Sequence, residues 1–100
     1  MVKKFDVFFW EGPGIEKPCV ILSPDEMNEI LPYVLVAPIT NVTRGFPCRI
    51  GVKLKGQTGQ VALDLMRPVS KACLTKRVGS LPEPLQAETL KLLKELFGIR

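Results

Sequence analysis

The sequence predicts a mainly β protein, a small SH3-like barrel with appended helices, one of them an α-helix at the C-terminal end. Short apolar runs rich in β-branched residues recur through the first eighty positions, separated by Gly, Pro and Asn breakers. A single long helical pattern occupies residues 80–97. The chain has 100 residues, which suits one domain (1–100) with one core and little surplus. With 46% hydrophobic residues it is expected to bury further apolar surface in an oligomer.

The elements follow in order. Residues 5–10 form an aromatic and apolar strand that runs into a Gly/Pro loop over 11–16. Residues 17–40 are the organising unit: a strand at 18–22, a short helix at 23–30 and a strand at 33–40. Both strands are near-continuous apolar runs, so neither should have a fully wet face. Ser23 is the expected N-cap, Pro24 suits the first helical position, and Glu26 completes a capping box. Gly45 and Pro47 break the loop at 41–47. Residues 48–54 alternate Arg49, Gly51 and Lys53 with Cys48, Ile50, Val52 and Leu54, a strand with one basic, wet face. A turn at 55–59, a strand at 60–65, a helical turn at 70–74 and a short strand at 76–79 follow. The final helix at 80–97 takes Ser80 as cap and tolerates Pro82 and Pro84 in its first turn. Its stripe reads Leu85, Leu90, Leu93, Leu96 and Phe97, and Gly98 is the stop.

No apolar run approaches the ~18 residues of a membrane span. The basic start MVKKFDVFFW has too short an apolar run for a signal peptide and is interrupted by Asp6, so a cytoplasmic location is expected. Cys19, Cys48 and Cys73 lack metal-ligand spacing and read as reduced, small apolar residues. The net charge of +4 is unevenly placed. Residues 40–80 hold eight basic side chains (Arg44, Arg49, Lys53, Lys55, Arg67, Lys71, Lys76, Arg77) against Asp64 alone. That block is either a polyanion-binding surface or a set of solvated charges facing several ways.

With no histidine, the familiar triads are excluded, and no ligand cluster suggests a metal. Lys17, Thr40, Asp64 and Arg67 remain. RNA cleavage can proceed from the substrate's own 2′-hydroxyl, given a base, a cation for the phosphorane and an acid for the leaving oxygen. Asp64 is the one carboxylate in the basic block and so the internal base candidate, although those cations would lower its pKa. The plain alternatives are an Asp64–Arg67 ion pair, a Thr40 hydroxyl bonded to local backbone, and a solvated Lys17.

Several blocks, in order, carry a resemblance: KPCVILSPDEMN, VLVAPIT, TRGFP, and VALDLMRPVSKACLTKRVGSLPEPL. Together they resemble the MazF/PemK family of toxin endoribonucleases, of the CcdB/PemK-like barrel fold. The resemblance implies a toxin of a toxin–antitoxin system, an mRNA interferase cutting single-stranded RNA without a metal or other cofactor. It implies a homodimer, a cognate antitoxin as partner, and no membrane. Thr40, closing A-P-I-T, matches the family's catalytic threonine, and Lys17 stands where the family has a catalytic arginine. Asp64 fits the acidic position before R-T-[VI]-D, which here reads RPVS, with Ser70 in place of the Asp. The segment before Lys17 is shorter than the family's G-x-E-Q loop. Arg44, Arg49, Lys53, Lys55 and Arg67 are the expected RNA-binding residues. The alternative reading is a family member that has lost catalysis and binds RNA or protein, including a CcdB-like gyrase poison, which the tail at 96–100 resembles.

Overall fold

The computed structural model describes residues 2–12 and 15–98. Seven strands form one curled antiparallel sheet, a half-barrel: β1 (Asp6–Gly12), β2 (Ile15–Ile21), β3 (Tyr33–Thr40), β4 (Arg49–Leu54), β5 (Gln57–Ala62), β6 (Arg67–Ser70) and β7 (Leu74–Ser80). They run in the order β4-β5-β3-β2-β1-β7, with β6 paired to β3. Helix α1 (Asp25–Ile30) joins β2 to β3, and α2 (Glu83–Leu96) follows β7. The architecture is the expected one, mainly β with a C-terminal helix.

The central position of β2 explains its unbroken apolar run. Val20 and Leu22 face one core with Val7, Ala37, Ile39, Ile50 and Val61, closed by Leu85, Leu92 and Leu93 of α2. Cys19 and Ile21 face a second core with Val34, Val36 and Val69, flanked by Phe8 and Trp10. Val20 and Ile21 are fully buried, and burying each such side chain stabilises the fold by about 1.5–3 kcal/mol.

Several boundaries differ from the sequence reading. The expected loop at 11–16 is partly a ladder, because β1 and β2 extend to Glu11↔Glu16 and Gly12↔Ile15; Pro13 and Gly14 lie outside the described residues. Lys55 (φ 50°) and Gly56 (φ 81°) both adopt the left-handed conformation, making a two-residue primed turn. That turn starts β5 at Gln57, three residues before the expected strand, and leaves Leu63–Leu65 as a 3₁₀ turn. RPVS is a strand, β6, that pairs with the start of β3. Its edge position tolerates Pro68, which has no N–H to give.

Neither serine caps its helix. Pro24 is the N-cap of α1 and no side chain bonds there. Ser23 is instead buried, its Oγ donating to Asn28 Oδ1 at 2.5 Å and accepting from Leu35 N at 3.1 Å. Asn28 Nδ2 in turn donates to the Ser23 carbonyl at 2.9 Å. Ser80 stays in β7, where its Oγ accepts from Arg77 at 3.0 Å. The core-facing stripe of α2 is buried Thr89 with half-buried Leu85, Leu92 and Leu93, not the run that includes Leu90, Leu96 and Phe97, which are exposed. Thr89 can be buried because its hydroxyl donates to the Leu85 carbonyl at 2.7 Å. Gly98 does stop the helix, with φ 69° and its N–H on the Glu95 carbonyl; Ile99 and Arg100 of the tail lie outside the described residues.

Candidate active site

The register of the sheet assembles a row of side chains across five strands. Trp10 of β1 pairs with Lys17 of β2. The β2–β3 ladder ends at Cys19↔Pro38; Lys17 and Thr40, each two residues beyond that pair, lie on its face without being paired to each other. Thr40 pairs with Gln60 of β5, and Gln60 with Gly51 of β4. Directly paired residues of an antiparallel ladder share a face, so Trp10, Lys17, Thr40, Gln60 and Gly51 lie on one surface. Arg49 and Lys53 alternate with Gly51 on the same face of β4.

Beyond Cys19 and Pro38 the strands splay, and a cavity of about 480 Å³ opens between their ends and the β4–β5 hairpin. It is lined by Lys17, Pro18, Thr40, Leu54, Thr58 and Leu65, among others. Lys17 is exposed and Thr40 half-buried. Thr40 Oγ1 accepts from Val42 N at 3.1 Å, the local bond expected of a strand-end hydroxyl. One lone pair is thereby used, and the hydroxyl proton is left to donate.

Gln60 clasps the loop that follows Thr40. Its Oε1 accepts from Arg44 N at 3.0 Å and its Nε2 donates to Arg44 O at 3.1 Å. Gly59 lets β5 come close to Thr40, since a Cβ there would lie 3.1 Å from the Thr40 carbonyl oxygen. Sequence reasoning missed Gln60, Gly59 and Trp10; it placed Gly59 in a turn, so the close backbone approach that a glycine inside a strand marks was hidden.

The basic block is not one uniform surface. Arg49 pairs with Asp64 through two bonds, Nε to Oδ1 at 2.7 Å and Nη2 to Oδ2 at 3.0 Å. The bonded Arg49 guanidinium holds the Asp64 carboxyl below the usual carboxylate range, and the carboxylate raises the arginine in return. The ion pair expected between Asp64 and Arg67 is therefore made by Arg49. Arg67 stacks on Trp10, its Cζ 4.8 Å from the ring centroid. Lys55, at the hairpin tip, sits 5.6 Å over Phe9. Arg77 is held by buried Asp6 at 3.2 Å. Cys19 is fully buried, and burial pushes its thiol up to about 12, so it is no nucleophile. Among the described residues no group of three or more His, Cys, Asp or Glu side chains is placed to hold a metal ion.

The family model for the PemK-like, MazF-like toxin of type II toxin–antitoxin systems matches residues 11–97. The chain belongs to that family. No curated protein sequence matches it. Among solved structures it is similar to a mycobacterial endoribonuclease in complex with its cognate antitoxin, at 19% identity and a TM-score of 0.90, covering 100% of this chain and 98% of that one. It is similar to MazE–MazF from Deinococcus radiodurans, at 20% identity and a TM-score of 0.86, covering 99% and 97%. The Mycobacterium tuberculosis toxin MazF-mt6 gives 20% identity and a TM-score of 0.85, covering 95% and 98%. At these identities the likeness to individual structures is one of fold. Within the PemK/MazF-like fold, Lys17 and Thr40 line one cavity at the ends of β2 and β3, whereas Asp64 is bonded to Arg49.

Proposed function

We propose that this PemK/MazF-like chain is an endoribonuclease toxin that cuts single-stranded RNA, with Lys17 and Thr40 acting on the scissile phosphate. The observation that carries the reading is their placement on one face of the sheet, both lining a cavity open enough for a flexible strand. Members of the family are endoribonucleases. In the reaction the RNA 2′-oxygen attacks the adjacent phosphorus and the bond from phosphorus to the 5′-oxygen breaks. The 2′-hydroxyl gives up its proton, the 5′-oxygen gains one, and the products are a 2′,3′-cyclic phosphate and a 5′-hydroxyl. The Lys17 ammonium faces the charge that builds on the phosphorane, and the Thr40 hydroxyl donates to a non-bridging oxygen. The same ammonium is the nearest acid for the leaving oxygen.

Asp64, read from sequence as the base, has both oxygens on Arg49. We assign it to positioning Arg49, with solvent taking the 2′ proton. Arg44, Arg49, Lys53, Lys55 and Arg67 supply phosphate contacts around the row. The chain then works in the cytoplasm, where its substrate is; no described helix is long and apolar enough to cross a membrane. A homodimer and a cognate antitoxin complete the system, in keeping with the antitoxin complexes among similar structures.

The test is purified protein with mixed-sequence RNA in EDTA, followed by mapping of fragment ends. Cyclic phosphate and 5′-hydroxyl ends are expected. Thr40→Ala should abolish cleavage with stability within ~1 kcal/mol of the parent, because no core cavity forms at a strand end. Unchanged cutting by Thr40→Ala would move the site elsewhere.

A further inference from the structure

Gln60 spends both ends of its carboxamide on the chain that follows Thr40. Residues 42–45 have no regular structure, and among the described residues none of their backbone groups bonds to the backbone of the sheet. Side chains tie them down instead. Val42 N donates to Thr40 Oγ1 at 3.1 Å, and the Gln60 amide takes both backbone groups of Arg44, N at 3.0 Å and O at 3.1 Å. Gln60 is paired with Thr40 across β5 and β3, so the segment is stitched at both ends to the same rung of the sheet. The planar amide meets a donor and an acceptor of one residue, which fixes the orientation of Arg44 as well as its position.

We infer that Gln60 is a positioning residue for the Thr40 hydroxyl, acting through the segment it clasps. This rests on the RNA-cleaving reading and says what holds the hydroxyl in place. A threonine hydroxyl rotates to suit its neighbours unless one of them fixes it. The Val42 N–H, kept in place by the clasp two residues further on, occupies one lone pair of Oγ1. The hydroxyl proton must then point elsewhere. With the clasp open, no backbone bond to the sheet takes over at 42–45. Val42 drifts, and the Thr40 side chain gains freedom that it must lose again at the phosphate. Gln60 itself needs no contact with RNA.

Two variants separate this role from plain packing. Gln60→Ala removes the clasp. Gln60→Glu keeps one oxygen for the Arg44 N–H but sets the other against the Arg44 carbonyl, where a bond forms only when the carboxyl is protonated. Single-turnover cleavage of one RNA is measured for the parent and both variants between pH 5 and pH 8. Exchange of the Val42 amide is followed by NMR without RNA. Gln60→Ala should cut about tenfold more slowly than the parent at every pH, and its Val42 amide should lose protection. Gln60→Glu should be as slow at pH 8 and regain most of that factor by pH 5, because a carboxyl facing a carbonyl titrates above its ordinary ~4.3. A Gln60→Ala variant that cuts as fast as the parent overturns the inference, as does one whose Val42 amide stays protected. So does a Gln60→Glu rate in constant ratio to the parent, since a side chain that merely fills space does not depend on its proton. A parent that cuts no RNA overturns the endoribonuclease reading instead. The Val42 exchange then decides the clasp alone, lost protection in Gln60→Ala supporting it and unchanged protection overturning it.

Discussion

Lys17 carries the sharpest expectation at the scale of single residues. It keeps the cationic charge of the family's arginine position but offers a compact ammonium in place of a planar fork. Lys17→Arg should raise the cleavage rate by about ten- to a hundredfold, from a bidentate phosphate contact made in the transition state and worth ~1.5–3 kcal/mol. Lys17→Gln should remove activity. Single-turnover rates on one RNA decide it; equal rates for Lys17→Gln and the parent would make Lys17 a solvated charge. Asp64 gives a pH expectation. Arg49 depresses its carboxyl in the folded state, so its contribution to stability is present above the ordinary value of 3.8 and is lost as pH falls through the lower folded value. Asp64→Asn should therefore be less stable than the parent at pH 6, with the gap closing in acid. Urea midpoints at pH 6 and pH 3 measure this, and a gap that stays constant would mean the pair is thermodynamically silent.

Among the elements, β3 was legible to its last residue because its apolar run has Pro32 before it and a loop after it. The placement of β5 was not, since QTG reads as turn and the primed conformation at Lys55 leaves no compositional mark beyond Gly56. The caps failed for a related reason: Ser23 fits an N-cap pattern, and only the approach of β3 shows that its hydroxyl serves Asn28 and Leu35 instead. In the site, Lys17 and Thr40 were readable from strand ends and motif, while Gln60 and Gly59 depend on which strand lies next to β3. Their dependence is testable at Gly59. A Cβ there would come within 3.1 Å of the Thr40 carbonyl and 3.2 Å of Ile39 Cγ2, so β5 and β3 must separate slightly. Gly59→Ala should cost about 1 kcal/mol of stability from overpacking and lower kcat about tenfold by misplacing Thr40. Oligonucleotide affinity should change little. Full activity in Gly59→Ala would show that Thr40 tolerates the displacement.

At the scale of the molecule, a small chain leaves large apolar groups in water, among them Met27, Ile30, Tyr33 and Leu35 around α1, and Leu90, Leu96 and Phe97 on and just after α2. Such patches are usual interface surface, and a dimer of twice 11.1 kDa is the expected species in light scattering. The charge pattern then governs how RNA is held. Of the eight basic residues in the central block, Arg77 is already bonded to the buried carboxylate of Asp6, so a reading of the whole block as phosphate-binding overcounts. Thr40, Gln60 and Gly51 carry no charge, which concentrates the phosphate contacts at the ends of the row, on Lys17 and Arg67 at one and on Arg49 and Lys53 of β4 at the other. With ~4 phosphates engaged per strand and a loss of ~0.7 per phosphate, the log–log dependence of affinity on salt should have a slope of about −3. Arg67→Ala and Lys53→Ala should each make that slope shallower by about 0.7, and Arg77→Ala should leave it unchanged because Asp6 already neutralises that charge. Anisotropy titrations of a single-stranded oligonucleotide across a salt series supply the slopes. A flat response in the parent would remove RNA from the surface altogether, and an equal effect of Arg77→Ala would mean that the sheet row is not where the strand runs.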